Sequence, residues 1–226
     1  MLSGGAAQGL VEALRPEFET ASGCTIDGTF GAVGAMRDRL LAGEPADLVI
    51  LSRALIDGLA RGGHVAAGSV RDIGVVETAV AVRAGDPAPP IASADLLRAA
   101  LLTADAIHFP DPAQATAGIH FAGVLNKLGL GEVLGPRLRP APNGATAMRA
   151  LAASISAHPL GCTQATEILS TPGIALVGPL PAGCDLATTY TCAVTTKALL
   201  PADATRLIAL LAAEDHQPLR RRLGFS

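Results

Sequence analysis

Ala42-Gly43-Glu44-Pro45-Ala46-Asp47-Leu48-Val49-Ile50-Leu51-Ser52-Arg53 is the stretch that decides the fold. Asp47 to Leu51 is a short apolar run of the kind found in strands covered on both faces, entered from a Gly-Glu-Pro break and left through a polar residue, Ser52. Ala54 to Ala60 then reads as a helix, closed by Arg61-Gly62-Gly63. The stretch is therefore one strand-turn-helix unit with a hydroxyl at the turn.

Working outward, the same alternation recurs. Towards the N-terminus, Gln8 to Phe18 places Leu10, Val11, Leu14 and Phe18 at helical spacing, Thr25 to Phe30 reads as a strand, and Met36 to Leu41 opens a helix stopped by Gly43. Towards the C-terminus, strands are expected at Glu77 to Arg83, Ile107 to Phe109, Ala157 to Cys162, Ile174 to Val177 and Tyr190 to Val194. Helices are expected at Ala94 to Leu102, Ile119 to Leu128, Gly144 to Ala153, Ala165 to Leu169 and Pro201 to Ala212. Alternating helices and strands predict an α/β protein with a parallel or mixed sheet. Gly129-Leu130-Gly131 with Gly135 imitates a dinucleotide fingerprint, but it follows a helix instead of a strand and reads as a helix stop.

Composition narrows the function. The 226 residues are 50% hydrophobic and 16% charged, which is the profile of a folded chain of one large domain or two lobes. The 17 Lys+Arg and 20 Asp+Glu give a net charge of −3 without a basic run beside aromatic residues, so nucleic acid is not an expected partner. Every alanine-rich stretch is broken by Arg, Asp, Pro or Gly, so no membrane insertion is expected. Met1 to Gly9 has neither a basic nor an apolar signal region; the sequence as written predicts a cytoplasmic protein, or a periplasmic one whose leader has been removed. Cys24, Cys162, Cys184 and Cys192 lack metal-site spacing and read as small apolar residues, so neither metal nor cofactor is expected. Arg220-Arg221-Arg222 reads as a solvated helix face, and a monomer is expected.

Four turns share one design: Ser3-Gly4-Gly5-Ala6, Gly31-Ala32-Val33-Gly34, Leu51-Ser52-Arg53 and Ala115-Thr116-Ala117-Gly118. Each joins a strand to a helix through small residues, and in an α/β sheet such turns collect at the carboxyl ends of the strands, where helix N-termini favour anions. Walker, HExxH and GxSxG signatures are missing. The titratable candidates are His108 in a strand, His120 early in a helix, Arg53, Arg83 and Glu167.

The order of Leu2-Ser3-Gly4-Gly5-Ala6, Pro16-Glu17-Phe18-Glu19, Ala42 to Ile50, Val80-Ala81-Val82, Pro110-Asp111-Pro112, Ala117-Gly118-Ile119 and Leu128-Gly129 resembles that of the periplasmic molybdate-binding proteins of ABC transporters, over almost the whole chain. The resemblance implies a type II periplasmic-binding-protein fold: two α/β lobes joined by two crossing strands, with a ligand in the interlobe cleft. Lobe one would be residues 1–78 plus 186–226 and lobe two residues 79–185. Molybdate binders hold their oxyanion with hydroxyls from the first two turns, a tyrosine late in lobe two and backbone N–H groups. At those places this chain has Ala6, then Ala32 and Val33, then Gln164, while Ala117 matches. Three hydroxyls lost at about 1.5–3 kcal/mol each weaken the case for a tetrahedral oxyanion. Ser3, Ser52, Arg53, Thr116, Gln164 and Glu167 would suit a larger organic anion such as a carboxylate instead, and Gly4, Gly5 and Arg83 complete the ligand-binding candidates.

Two functions follow. The first is a binding protein that holds a small anion and hands it to an ABC-type permease. The second is an enzyme on the same scaffold, since some relatives of molybdate binders resemble aconitate isomerases. In that case Arg53 or Arg83 would clamp a carboxylate and His108 or Glu167 would move the proton.

Overall fold

The computed structural model describes residues 1–226. The chain opens with β1 (Leu2–Gly4), α1 (Gln8–Ser22), β2 (Thr29–Gly31), α2 (Val33–Leu41), β3 (Leu48–Ser52), α3 (Arg53–Arg61) and β4 (Arg71–Arg83). It continues through α4 (Ala94–Thr103), β5 (Ala106–Pro110), α5 (Thr116–Lys127), α6 (Gly131–Leu134), β6 (Leu138–Ala141), α7 (Gly144–Ala152), β7 (Pro159–Gln164), α8 (Ala165–Leu169) and β8 (Ile174–Pro179). It ends with β9 (Ala187–Val194), α9 (Pro201–Ala212) and α10 (Gln217–Arg222). Two compact units result: Met1–Val76 with Thr188–Ser226, and Glu77–Ala187.

In unit 1, β1 lies between β2 and β3, parallel to both, and β9 pairs antiparallel with β3, setting Tyr190 opposite Ser52. The apolar run foreseen at residues 47 to 51 is buried from Leu48 to Leu51, as a central strand covered on both faces requires. Helix α1 buries Leu10, Val11, Leu14 and Phe18 and packs on α9, which buries Leu207, Ile208 and Leu211.

In unit 2, β7 is parallel to β5 and antiparallel to β4, β6 extends the sheet beyond β5, and β8 pairs with β4. Because side chains alternate along a strand, Leu160 and Cys162 of β7 join Ile107 and Phe109 of β5 on one face, against Leu97, Phe121 and Leu125. Phe109 and Phe121 meet edge to face with centroids 5.5 Å apart. The other face carries α7, whose Met148 and Leu151 lie where a side chain on Gly161 would stand.

Several elements differ from the sequence reading, each for a local reason. The strand expected over residues 25–30 is confined to Thr29–Gly31. Its first half is held by α1 side chains: the Ile26 N–H donates to Glu19 Oε1 at 2.8 Å, and Arg15 donates to the Ile26 carbonyl. Helices α2 and α5 start three residues before Met36 and Ile119, because Gly34 and Gly118 fall in first turns, whose N–H groups have no helical partner in any case. Strand β4 begins at Arg71, six residues early, and β6 was not foreseen because Pro140 lies in it.

Candidate functional site

Three helix starts follow directly on strand ends in unit 1. β1 leads through the 3₁₀ turn Gly5–Ala7 into α1, β2 leads through Ala32 into α2, and β3 leads through Ser52 into α3. None of these helices has a side-chain cap or an acidic residue in its first turn. The first-turn N–H groups and the positive end of the helix dipole are therefore left without a protein anion. Gly4 is required by close packing: a Cβ there would sit 2.7 Å from Val33 Cγ1 and 3.2 Å from Tyr190 Cε1. Ser3 is fully buried and turns its hydroxyl back to the Gly4 carbonyl at 3.0 Å. Ala6, in the turn after β1, and Ala32 and Val33, at the start of α2, are also buried and contribute only hydrocarbon.

Arg53, the first residue of α3, is engaged within its own unit. Its guanidinium bonds Asp72 and approaches Asp57 at 3.9 Å, and Asp72 also accepts from Thr191 Oγ1 at 2.6 Å. The bond to Asp72 pushes the Arg53 pKa up from an already high value. A ligand carboxylate would have to compete with Asp72 for this cation.

In unit 2, β5 ends at Pro110, and Asp111 Oδ1 accepts from the N–H groups of Ala113 and Gln114 at 2.7 and 3.0 Å, fixing the loop before α5. Helix α5 starts at Thr116, again with no side-chain cap and no acid in the first turn, and Ala117 is buried. A Cβ on Gly118 would fall 2.2 Å from the Asp111 carbonyl oxygen, so only glycine lets α5 lie this close to the loop. Other helices of this unit are closed: α4 by Ser93, whose Oγ accepts from the Leu96 N–H at 3.2 Å, and α7 by Asn143, whose Oδ1 accepts from the Thr146 N–H at 2.8 Å.

β7 delivers the polar end of the unit. Gln164 closes the strand and is 2% exposed; the β4–β7 register sets Thr78 opposite it, and Thr166 follows in the first turn of α8. Both amide atoms of Gln164 and the hydroxyls of Thr78 and Thr166 are buried without a hydrogen-bond partner. Buried polar atoms are almost always paired, with protein or with ordered water, so four at one strand end make this place the candidate for a ligand's polar groups.

Glu167, one turn on, has a different task. Its carboxylate accepts from Thr163 Oγ1 at 2.5 Å and from the backbone N–H groups of Gln164, Ala145 and Gly144. It thus closes α8 in the manner of a capping box and sits on the start of α7. Burial pushes its pKa up from 4.5 against these bonds. His108 lies in mid-β5, level with Gly161 and Arg139 and so on the α7 face. Neither ring nitrogen has a partner, and burial, then the Arg139 charge, pushes its pKa down from 6.5.

Two candidates are placed away from this strand end. Arg83 is five residues beyond Thr78 along β4, about 16 Å at the rise of a strand. It bonds Asp86 at 2.7 Å and the Ser154 carbonyl at 2.6 Å. It secures the opposite edge of the unit and is not near Gln164. His120 Nε2 donates to the Cys184 carbonyl at 2.8 Å, a structural tie. Tyr190, Thr78 and Thr166 were missed by the sequence reading, although a threonine in the apolar run of β4 and a polar cluster at residues 163–167 were visible signals.

Two α/β units, the chain passing from one to the other and back, with parallel strands running into uncapped helices, have the type II periplasmic-binding-protein fold. The chain belongs to the bacterial extracellular solute-binding protein family, which it matches over residues 1–226. It is 31% identical to an aconitate isomerase from Pseudomonas sp., over 95% of this chain and 82% of that protein. Among solved structures it superposes on the periplasmic molybdate-binding protein of Azotobacter vinelandii with a TM-score of 0.81, at 18% identity over 100% of this chain and 97% of that one. The sulfate-binding protein SubI from Mycobacterium tuberculosis gives 0.75 at 18% identity, over 99% and 84%. No helix is long and apolar enough to cross a membrane.

Proposed function

We propose that this protein binds a small organic anion, a di- or tricarboxylate, and delivers it to an ABC-type permease outside the cytoplasmic membrane. The observation that carries this reading is the division among helix starts. α4 and α7 are closed by Ser93 and Asn143, whereas α2, α3 and α5, each following a strand end, keep their first-turn N–H groups free of any acidic or capping side chain. An anion satisfies such groups at once. The hydrocarbon of Ala6, Ala32 and Val33 supports a ligand with a carbon skeleton over a bare tetrahedral oxyanion.

A thermal-shift screen of molybdate, tungstate, sulfate, phosphate and a panel of di- and tricarboxylates tests it. A ligand at 100 times its Kd stabilises by about 2.7 kcal/mol, a shift of several degrees. Carboxylates alone are expected to produce that shift; a response to molybdate or tungstate alone would overturn the organic reading.

The likeness to an aconitate isomerase favours a second reading, in which the bound ligand is an unsaturated tricarboxylate. The protein would take a proton from one carbon and return one to the carbon at the other end of the shifting double bond, with His108 or Glu167 as carrier. Proton NMR of cis- and trans-aconitate in D2O decides between the two: turnover abolished by His108→Ala or Glu167→Ala supports the isomerase, and binding without turnover or exchange supports the transporter component.

A further inference from the structure

We propose that the unit 2 strand end selects ligands presenting an O–H donor beside a carboxylate oxygen, and that the Gln164 amide makes the selection. This deepens the organic-anion reading and rests on it. An amide has fixed chemistry: Nε2 donates and Oε1 only accepts. Both atoms of Gln164 are buried and unpartnered, so the occupant of this place must offer an acceptor to one and a donor to the other. Turning the amide over exchanges the two atoms and still leaves one acceptor in place. The hydroxyls of Thr78 and Thr166, also unpartnered, can rotate to give or take a proton and set no such condition. A fully ionised tetrahedral oxyanion carries acceptors alone. It would satisfy Nε2 and both hydroxyls while pressing its own lone pairs against Oε1.

The ionisable side chains on the adjoining elements leave the amide to the ligand. Glu77 precedes Thr78 on β4, is exposed and alternates to the other face. Asp111 after β5 is bonded to Ala113 and Gln114, Glu167 is bonded to Thr163, and His108 lies on the α7 face. The donor therefore comes from the ligand, either as a hydroxyl or as an un-ionised carboxyl group.

Calorimetric titration of the intact protein, in two buffers of different ionisation enthalpy, separates these sources by counting protons taken up. The probes are the pairs citrate and tricarballylate, and malate and succinate, which differ by one hydroxyl, with sulfate and tungstate as donor-free oxyanions. A preference of about tenfold or more for the hydroxylated member without proton uptake identifies the hydroxyl source. Binding of tricarballylate or succinate with uptake of one proton identifies the un-ionised carboxyl. In either case Gln164→Met, which keeps length and removes the acceptor, should reduce the preference or the proton uptake to near nothing while the protein remains folded by circular dichroism. Gln164→Glu, which adds an acceptor, should draw in one further proton. Equal affinity within each pair without proton uptake, sulfate or tungstate binding as tightly as any carboxylate, or an unchanged ranking in Gln164→Met would overturn the proposal while leaving anion binding intact. Failure of every anion to bind would remove the organic-anion reading and this proposal together.

Discussion

In unit 1 the ends of β1 and β2 are faced with hydrocarbon, from Ala6, Ala32, Val33 and the Tyr190 ring, Ser3 spends its hydroxyl on its own backbone, and Thr188 of β9 holds one buried hydroxyl without a partner; in unit 2 the end of β7 gathers four such polar atoms, on Thr78, Gln164 and Thr166. Both units offer bare helix N-termini, so both can hold negative charge. Unit 2 gathers more of the polar atoms that could tell one charged group from another.

The difference extends to the material behind each site, which two substitutions should expose. A Cβ on Gly118 would meet carbonyl oxygens of Asp111 and Pro110 at 2.2 and 2.4 Å, and backbone cannot step aside. Gly118→Ala should cost about 3 kcal/mol in denaturant unfolding and lift the start of α5 off its loop. A Cβ on Gly4 would meet side-chain carbons of Val33 and Tyr190 and no backbone atom closer than 3.6 Å, so Gly4→Ala should cost less, about 1–2 kcal/mol. Equal costs would break the contrast between a soft wall in unit 1 and a rigid one in unit 2.

Glu167 sharpens the comparison through pH. Burial raises its folded-state pKa above the ordinary 4.5, so between 4.5 and that raised value the native protein holds more protons than the unfolded chain. Stability contributed by this group is therefore full below 4.5 and declines as pH rises through the window, by about 1.4 kcal/mol for each unit of elevation. Glu167→Gln should flatten that slope in denaturant midpoints recorded from pH 4 to 8. A slope surviving the substitution would mean that the carboxylate is not the group closing α7 and α8. Since its oxygens already hold Thr163 and three backbone N–H groups, the same substitution tests how free Glu167 is to move a substrate proton.

The fold was legible because its signals are local. The buried run at 47–51, the helical spacing in α1 and the small residues at each strand-to-helix turn act within about fifteen residues, and the ordered motifs tied them to one family. Where the reading slipped, side chains of the preceding helix took the strand's backbone groups, as Glu19 and Arg15 do at Ile26, a tie that periodicity does not register. The site was less legible because it is assembled across the sheet. Nothing in the neighbourhood of Thr78 says that antiparallel pairing will set it against Gln164, 86 positions on in the sequence. Nor could residue type alone reveal that Arg53 is paired with Asp72, or that Arg83 is tied to Asp86 and Ser154. A cation is a candidate clamp only until its counter-ion is known, and that knowledge is three-dimensional.

The smallest effects should come from the caps, and there the sign of the difference carries the information. Ser93 and Asn143 each accept a first-turn N–H, so Ser93→Ala and Asn143→Ala should each cost about 1 kcal/mol and leave ligand affinity alone. Ser52 occupies the same position before α3 but makes no capping bond, so Ser52→Ala should change stability by about 0.5 kcal/mol or less. If Ser52 is kept for a ligand, the loss should appear in carboxylate affinity, as a weakening of about tenfold. A full capping penalty at Ser52 with unchanged affinity would show that α3 is an ordinary closed helix. The division between closed and open helix starts, on which the anion-binding reading stands, would then reduce to α2 and α5.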